Sequence, residues 1–133
     1  MTFPSRHISQ AIQRSPREVI AFAGDPRNLP VWAAGLSAEI RQQDGRWITD
    51  SPMGEVEVRF TGEVELGILD HDVVLPDGTT VHNPLRVLAN GDGSEVVFTL
   101  YRLPDATDAA YERDAAMVRD DLNRLRGLLE DDR

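Results

Sequence analysis

The sequence predicts an α+β protein, in which a curved antiparallel sheet of about seven strands wraps around one long C-terminal helix. Between residues 107 and 130, apolar side chains recur every three or four positions, which places them on one stripe of a helix. The preceding segment, from about residue 36 to residue 103, instead alternates apolar and polar residues in short runs. Because the helical stripe must be buried, we expect it to pack on this sheet. The stripe consists of Tyr111, Ala115, Val118, Leu122, Leu125 and Leu129.

The first quarter of the chain predicts one strand and two short helices. Residues 6–12 alternate with a period of two, as in a strand. The sequence Ser15-Pro16-Arg17-Glu18 has the composition of a capping box with proline at the first helical position, so a helix begins there and ends near Gly24. A second helix start follows at Asp25-Pro26, and this short helix carries Leu29 and Trp32.

The remaining strands are separated by turn sequences. Asp44-Gly45, Pro76-Asp77-Gly78 and Asn90-Gly91-Asp92-Gly93 are typical hairpin turns, since proline fixes φ and glycine accepts a positive φ. Short turns make neighbouring strands antiparallel. The predicted strands cover approximately residues 36–40, 47–48, 56–60, 64–74, 80–89 and 95–102.

Length, charge and composition narrow the range of possible functions and partners. A chain of 133 residues without a linker predicts one domain, residues 1–133. A net charge of -9 makes nucleic acid and anionic membranes unfavourable partners, and no apolar run is long enough for a membrane span. The absence of cysteine excludes disulfides and thiolate chemistry. These features predict a cytoplasmic monomer or homodimer. We expect no cofactor and no metal, since the three histidines lack a metal-binding spacing.

The helical start sequences carry a family resemblance. The block Ser15-Pro16-Arg17-Glu18-Val19-Ile20-Ala21-Phe22, followed by Asp25-Pro26-Arg27-Asn28-Leu29-Pro30-Val31-Trp32, resembles the corresponding block of the SRPBCC, or START-like, superfamily with its polyketide cyclase/dehydrase-type members. The order of elements resembles that family along nearly the whole chain. The resemblance implies the helix-grip fold and a functional space between the sheet and the long helix. The chain departs from the larger members of that family by being short, which disfavours a large ligand such as a sterol.

Strand parity selects the side chains that face this space. Residues of one parity on each strand point inward, and apolar residues of the helices complete the wall. The alternative interpretation is that most of these side chains simply fill an ordinary hydrophobic core. The candidate ligand-binding residues are Phe22, Trp32, Met53, Val58, Phe60, Leu85, Phe98, Tyr111, Met117 and Val118.

Two polar residues are candidate catalytic groups. A turn at Asp77-Gly78 pairs residues whose numbers sum to about 155, so His71 lies near Asn83 on the neighbouring strand. His71 is either a general acid/base or a strand residue that bonds to its neighbours. Asn83 shares the inward parity and either holds a ligand carbonyl or ties down a strand. Asp70 and Asp72 flank His71 but lie on the opposite face.

Three functions fit these features. The first is the binding of a small hydrophobic or aromatic molecule in a cavity between the sheet and the C-terminal helix. The alternative is a cyclase/dehydrase-type enzyme that acts on a polyketide-like or other carbonyl substrate. The second alternative is a protein-interaction module with a filled core. If a pocket exists, the alanine-rich first half of the long helix, with Ala109, Ala110, Ala115 and Ala116, predicts that it lies there.

Overall fold

The computed structural model describes residues 1–33 and 39–131. The predicted strand positions Leu36 and Ala38 therefore lie outside the described residues. The described part contains eight strands and three α-helices. Their order is β1 (Ser5–Ile12), α1 (Pro16–Ala23), α2 (Leu29–Trp32), β2 (Ile40–Gln43), β3 (Arg46–Ser51), β4 (Gly54–Phe60), β5 (His71–Val74), β6 (Thr80–Asn83), β7 (Leu85–Asn90), β8 (Gly93–Tyr101) and α3 (Asp108–Asp131).

The strands form two antiparallel sheets that are joined by backbone hydrogen bonds. The smaller sheet has the order β1-β8-β7 and the larger has the order β2-β3-β4-β5-β6. At the junction, the Leu69 N–H donates to the Leu85 carbonyl at 2.8 Å, and the Val87 N–H donates to the Gly67 carbonyl at 2.9 Å. The Thr99 N–H also donates to the Pro84 carbonyl at 3.0 Å. The sheets therefore continue into each other as one curved surface.

Of the predicted strands, one is shortened and another is divided into two, and this division raises the number of strands from seven to eight. The predicted strand 64–74 begins instead as a 3₁₀ turn, Val64–Leu66, which ends at Gly67 with φ of 85°. A Cβ on Gly67 would lie 2.6 Å from the Val87 carbonyl oxygen, so glycine allows the strands to approach closely. The predicted strand 80–89 is divided at Pro84, which has no N–H to donate to a ladder.

The helix starts in the first quarter are confirmed. The Ser15 hydroxyl accepts from the Glu18 N–H at 3.2 Å, and the Glu18 carboxylate accepts from the Ser15 N–H at 3.4 Å, so both halves of the capping box are present. Helix α1 ends at Gly24. The Asp25 carboxylate then accepts from the Arg27 N–H at 3.0 Å, and this bond starts a 3₁₀ turn that leads into α2.

Helix α3 packs along the smaller sheet and against α2. The predicted stripe faces inward, with Tyr111, Ala115, Leu122 and Leu125 buried. These side chains join a core with α1, α2 and both sheets, to which Val19, Trp32, Val58 and Leu85 contribute. Hydrogen bonds fasten both ends of α3: the Tyr111 hydroxyl donates to the Leu100 carbonyl at 3.1 Å, and Arg14 Nε donates to the Leu129 carbonyl at 2.8 Å.

A long C-terminal helix gripped by a curved antiparallel sheet is the helix-grip fold that the sequence predicts. None of the helices within residues 1–33 and 39–131 combines the length and the apolar character that a membrane span needs.

Candidate functional site

A row of three side chains crosses the larger sheet on its inner face. Phe60 on β4 is the register partner of His71 on β5, and His71 is in turn the partner of Asn83 on β6. Residues that pair across antiparallel strands point to the same face, so the three side chains lie side by side. All three are only half-buried, although Phe60 packs against the core. The predicted proximity of His71 and Asn83 is confirmed, with a register sum one lower than expected.

A cleft reaches this row from the side of β3. It has a volume of about 310 Å³ and lies between the β2–β3 turn and the end of β4. Trp47, Val58 and Phe60 form its apolar wall, while Glu57 and Arg59 form its polar side. The volume falls at the lower end of the range of roughly 300–1,000 Å³ that is usual for small-molecule sites.

The Phe60 ring links the cleft to the polar part of the row. Its centroid lies 5.7 Å from the centroid of the His71 ring, at an interplanar angle of 55°. This is the tilted geometry that aromatic pairs favour. A ligand against Phe60 would therefore also be close to His71.

Within the row, His71 makes a single hydrogen bond to the described residues, and this bond engages only one of its ring nitrogens. Nδ1 lies 3.0 Å from the Leu69 carbonyl oxygen. Burial lowers the pKa of His71 below its ordinary value of 6.5, and it outweighs the opposing effects of the Leu69 carbonyl and the carboxylates of Asp70 and Asp72. The ring is therefore neutral at neutral pH.

Asn83 is held weakly. Its Nδ2 donates to the Val81 carbonyl at 3.5 Å, which is the outer limit of a hydrogen bond. The Thr99 N–H bond to Pro84 places the end of β6 beside β8. The amide of Asn83 is thus placed on the inner face of the junction with most of its bonding capacity unused by the described residues.

The carboxylates beside His71 are engaged on the outer face. Asp70 accepts from Arg86 Nε and Nη2, each at 2.8 Å, and the Arg86 guanidinium lowers the pKa of the Asp70 carboxyl. Asp72 lies 2.7 Å from His82 Nδ1. His82 is exposed, as its strand parity predicts. Neither carboxylate is therefore available to orient His71 from within the row.

The two large aromatic residues of the helices have structural contacts. The Tyr111 ring lies under the Arg6 guanidinium at 4.7 Å and under the Arg102 guanidinium at 5.8 Å, which fixes the start of α3. Trp32 is buried, and its Nε1 has no hydrogen-bond acceptor among the described residues. A buried indole N–H without an acceptor is unfavourable.

The other candidate residues divide into three groups. Val58 and Leu85 are buried core residues, with 2% and 1% exposure. Phe22, Phe98 and Val118 are half-buried and pack against the core. Met53 and Met117 are 65% and 44% exposed and do not pack in the core, so their assignment to the ligand-binding site stays a prediction. Met53 lies in the tight turn before Gly54, and Met117 lies beside the inward stripe of α3 rather than on it.

The pocket predicted under the first half of α3 stays a prediction, and the side chains there differ in burial. Tyr111 and Ala115 are buried there, whereas Val118 is half-buried. Ala109 and Ala116 face outward, because they lie off the stripe. The open space next to the row instead lies on the β3–β4 side.

Two groups at the candidate site were not among the predicted site residues. The Leu69 carbonyl orients His71, and no side-chain pattern reveals which carbonyl will meet an imidazole. Trp47 lines the cleft wall, and its pairing with Val58 in the structure places it on the inner face. Over the described ranges, no three or more histidine, aspartate or glutamate residues are grouped so that they could hold a metal ion.

Comparison with known proteins establishes the fold. No protein-family profile matches the chain, and no curated relative matches it. Solved structures do match over nearly the full length. An uncharacterised protein from Bacillus thuringiensis has a TM-score of 0.73 at 14% identity, with 96% of this chain and 99% of that chain covered.

Two further similar structures are those of Ara h 8.0201 and DynU16. Ara h 8.0201 has a TM-score of 0.68 at 13% identity, with 97% of this chain and 99% of that chain covered. DynU16, from the dynemicin biosynthetic locus, has a TM-score of 0.71 at 16% identity, with 95% of this chain and 47% of that chain covered. Identities this low show that the chain shares the fold of these proteins, and they do not carry a function over.

Proposed function

We propose that the protein binds a small hydrophobic or aromatic molecule on the inner face of the larger sheet, at the row formed by Phe60, His71 and Asn83. The observation that carries the proposal is the register itself, which brings one aromatic and two polar side chains together. Apolar walls with a few convergent polar groups characterise small-molecule sites.

The exposure of these side chains supports binding over simple packing. Phe60 and Phe98 point toward the core but remain half-buried, and the cleft of about 310 Å³ reaches Phe60. Large aromatic rings contribute their full hydrophobic free energy only when they are covered. A flat apolar molecule in the cleft would cover Trp47 and Phe60 and would reach the polar groups beyond them.

The named relatives of the fold agree with this proposal in general terms only. DynU16 is encoded in a biosynthetic locus, which connects one similar structure to small-molecule chemistry. A cyclase/dehydrase-type reaction is less well supported, because His71 has no carboxylate partner on its own face among the described residues. A neutral imidazole without such a partner suits hydrogen bonding to a ligand better than driven proton transfer.

Titration with a neutral fluorescent apolar probe, N-phenyl-1-naphthylamine, tests the proposal. We expect saturable fluorescence enhancement with the unmodified protein, together with a one-to-one complex in native mass spectrometry. The blocking variant is Asn83→Phe, which adds a ring to the inner row without removing a core side chain. It should abolish probe binding while the far-ultraviolet circular dichroism stays unchanged.

The matched control is His82→Phe, which adds a similar ring at the adjacent position on the outer face of β6. This variant should bind the probe as the unmodified protein does. Equal loss of binding in both variants, or probe binding that persists in Asn83→Phe, would place the binding site elsewhere. A protein that binds no apolar probe at all would favour an interaction module with a filled interior.

A further inference from the structure

The Leu69 carbonyl fixes the tautomer of His71. A carbonyl oxygen only accepts, so Nδ1 at 3.0 Å must carry the proton and donate it. A neutral imidazole has a single N–H, and the ring is neutral at neutral pH because burial lowers its pKa. Nε2, at the far edge of the ring, is therefore an unprotonated nitrogen with a free lone pair.

The lone pair of Nε2 has no donor within residues 1–33 and 39–131. The hydrogen bond to Leu69 and the ring contact with Phe60 are the described contacts of the imidazole. Asn83, its register partner, uses Nδ2 toward the Val81 carbonyl and leaves its Oδ1 without a described donor. Two adjacent side chains of the row thus present acceptor atoms.

We infer that this site selects ligands that donate a hydrogen bond, so that an aromatic molecule with a hydroxyl group binds in preference to its methyl ether. The inference rests on the proposed function, because it specifies that the same site offers its ligand hydrogen-bond acceptors. His71 Nε2 is the principal acceptor, and Asn83 Oδ1 lies beside it.

The selection follows from the cost of leaving an acceptor unpaired. A hydroxyl group that enters the row replaces the water bond of Nε2 with a ligand bond, and little free energy is lost. A methyl ether of the same shape displaces the water from Nε2 without offering a proton, so the lone pair becomes buried and unpaired. A site built around an acceptor therefore rejects the analogue that lacks the donor.

A matched pair of probes, 2-naphthol and 2-methoxynaphthalene, measures this selectivity. We expect 2-naphthol to bind the unmodified protein roughly tenfold more tightly at neutral pH, which is the effect of one buried neutral hydrogen bond. His71→Phe keeps a flat ring but removes Nε2, so it should bring the two affinities together. His82→Phe on the outer face should retain the tenfold difference.

Nitrogen NMR of the histidines tests the tautomer directly and does not depend on any variant folding. The spectrum of the unmodified protein at neutral pH should show His71 Nε2 as a pyridine-type nitrogen, and this signal should shift on addition of 2-naphthol. A protonated Nε2 in the free protein would overturn the inference.

The outcomes separate the inference from the proposed function. Equal affinities for both probes in the unmodified protein would refute the selectivity and leave ligand binding intact. Failure of both probes and of N-phenyl-1-naphthylamine would refute ligand binding itself. A tenfold preference that survives in His71→Phe would assign the selection to a residue other than His71.

Discussion

Asp70 holds the junction between the two sheets, and replacing it tests how that junction is stabilised. The carboxylate accepts from the Leu85 N–H at 3.0 Å and from two nitrogens of Arg86 at 2.8 Å each. Only 8% of Asp70 is exposed. Both partners lie on β7, while Asp70 immediately precedes β5, so one side chain connects the larger sheet to the smaller one.

Two substitutions separate the stabilisation by the Arg86 ion pair from the stabilisation by the Leu85 hydrogen bond. Asp70→Asn keeps an oxygen for the Leu85 N–H but loses the charged pair with Arg86, whose side chain is 49% exposed. Solvent screening weakens the electrostatic stabilisation by that ion pair, so we expect a loss of about 1–2 kcal/mol in the free energy of unfolding. Asp70→Leu also leaves the buried Leu85 N–H without an acceptor, and we expect a total loss of about 3–4 kcal/mol.

Urea denaturation followed by circular dichroism at pH 7 measures both losses. The control is Asp72→Asn on the same face, where the exposed His82 is the partner, with an expected loss below about 0.5 kcal/mol. The pKa of Asp70 is lowered by Arg86, so its stabilisation is complete above the ordinary value of 3.8 and is lost as the pH falls through the lowered pKa. Equal losses for Asp70→Leu and Asp72→Asn would refute the role of Asp70 at the junction.

Three further substitutions test the site, the core and a helix cap. The pKa of His71 is lowered in the folded protein, so protonation of the unfolded chain should reduce the free energy of unfolding as the pH falls below about 6.5. His71→Phe should remove this part of the pH dependence, as measured by urea titrations at about pH 7.0 and about pH 5.5. Leu122→Ala should lower the free energy of unfolding by about 2–5 kcal/mol, against less than about 0.5 kcal/mol for the exposed Met117→Ala, and similar losses would contradict the inward stripe. Ser15→Ala should lower the melting temperature through a loss of about 1 kcal/mol at the capping box with Glu18, and an unchanged melting temperature would show that the cap is not stabilising.

Local chemistry made much of the fold predictable. The capping box at Ser15, the stop at Gly24 and the hairpin turns act within a few residues, so the sequence alone identifies them. The stripe of α3 is equally readable, since a period of 3.6 residues does not depend on what covers it. The interruption at Gly67 was not predicted, because it depends on the distant carbonyl of Val87.

The candidate site was likewise predictable only where local spacing determines it. Strand parity and one turn placed His71 next to Asn83 on the inner face, because alternation along a strand is a local property. Parity also assigned Asp70 and Asp72 to the opposite face. It did not predict the exposure of Met53 and Met117, since turn residues and residues beside a helical stripe have no parity that settles it.

The sequence by itself determined the order of the elements, the long gripped helix and the pairing of two polar residues, because each rests on spacing along the chain. Only the tertiary structure decided which carbonyl meets His71, which carboxylates Arg86 and His82 engage, and where the cleft opens. The contacts of Arg86 and His82 and the opening of the cleft join atoms from different strands, while the bond from His71 to the Leu69 carbonyl depends on how the ring is turned at the start of β5. The long helix therefore identifies the fold, while the chemistry of the site depends on how the sheet bends around it.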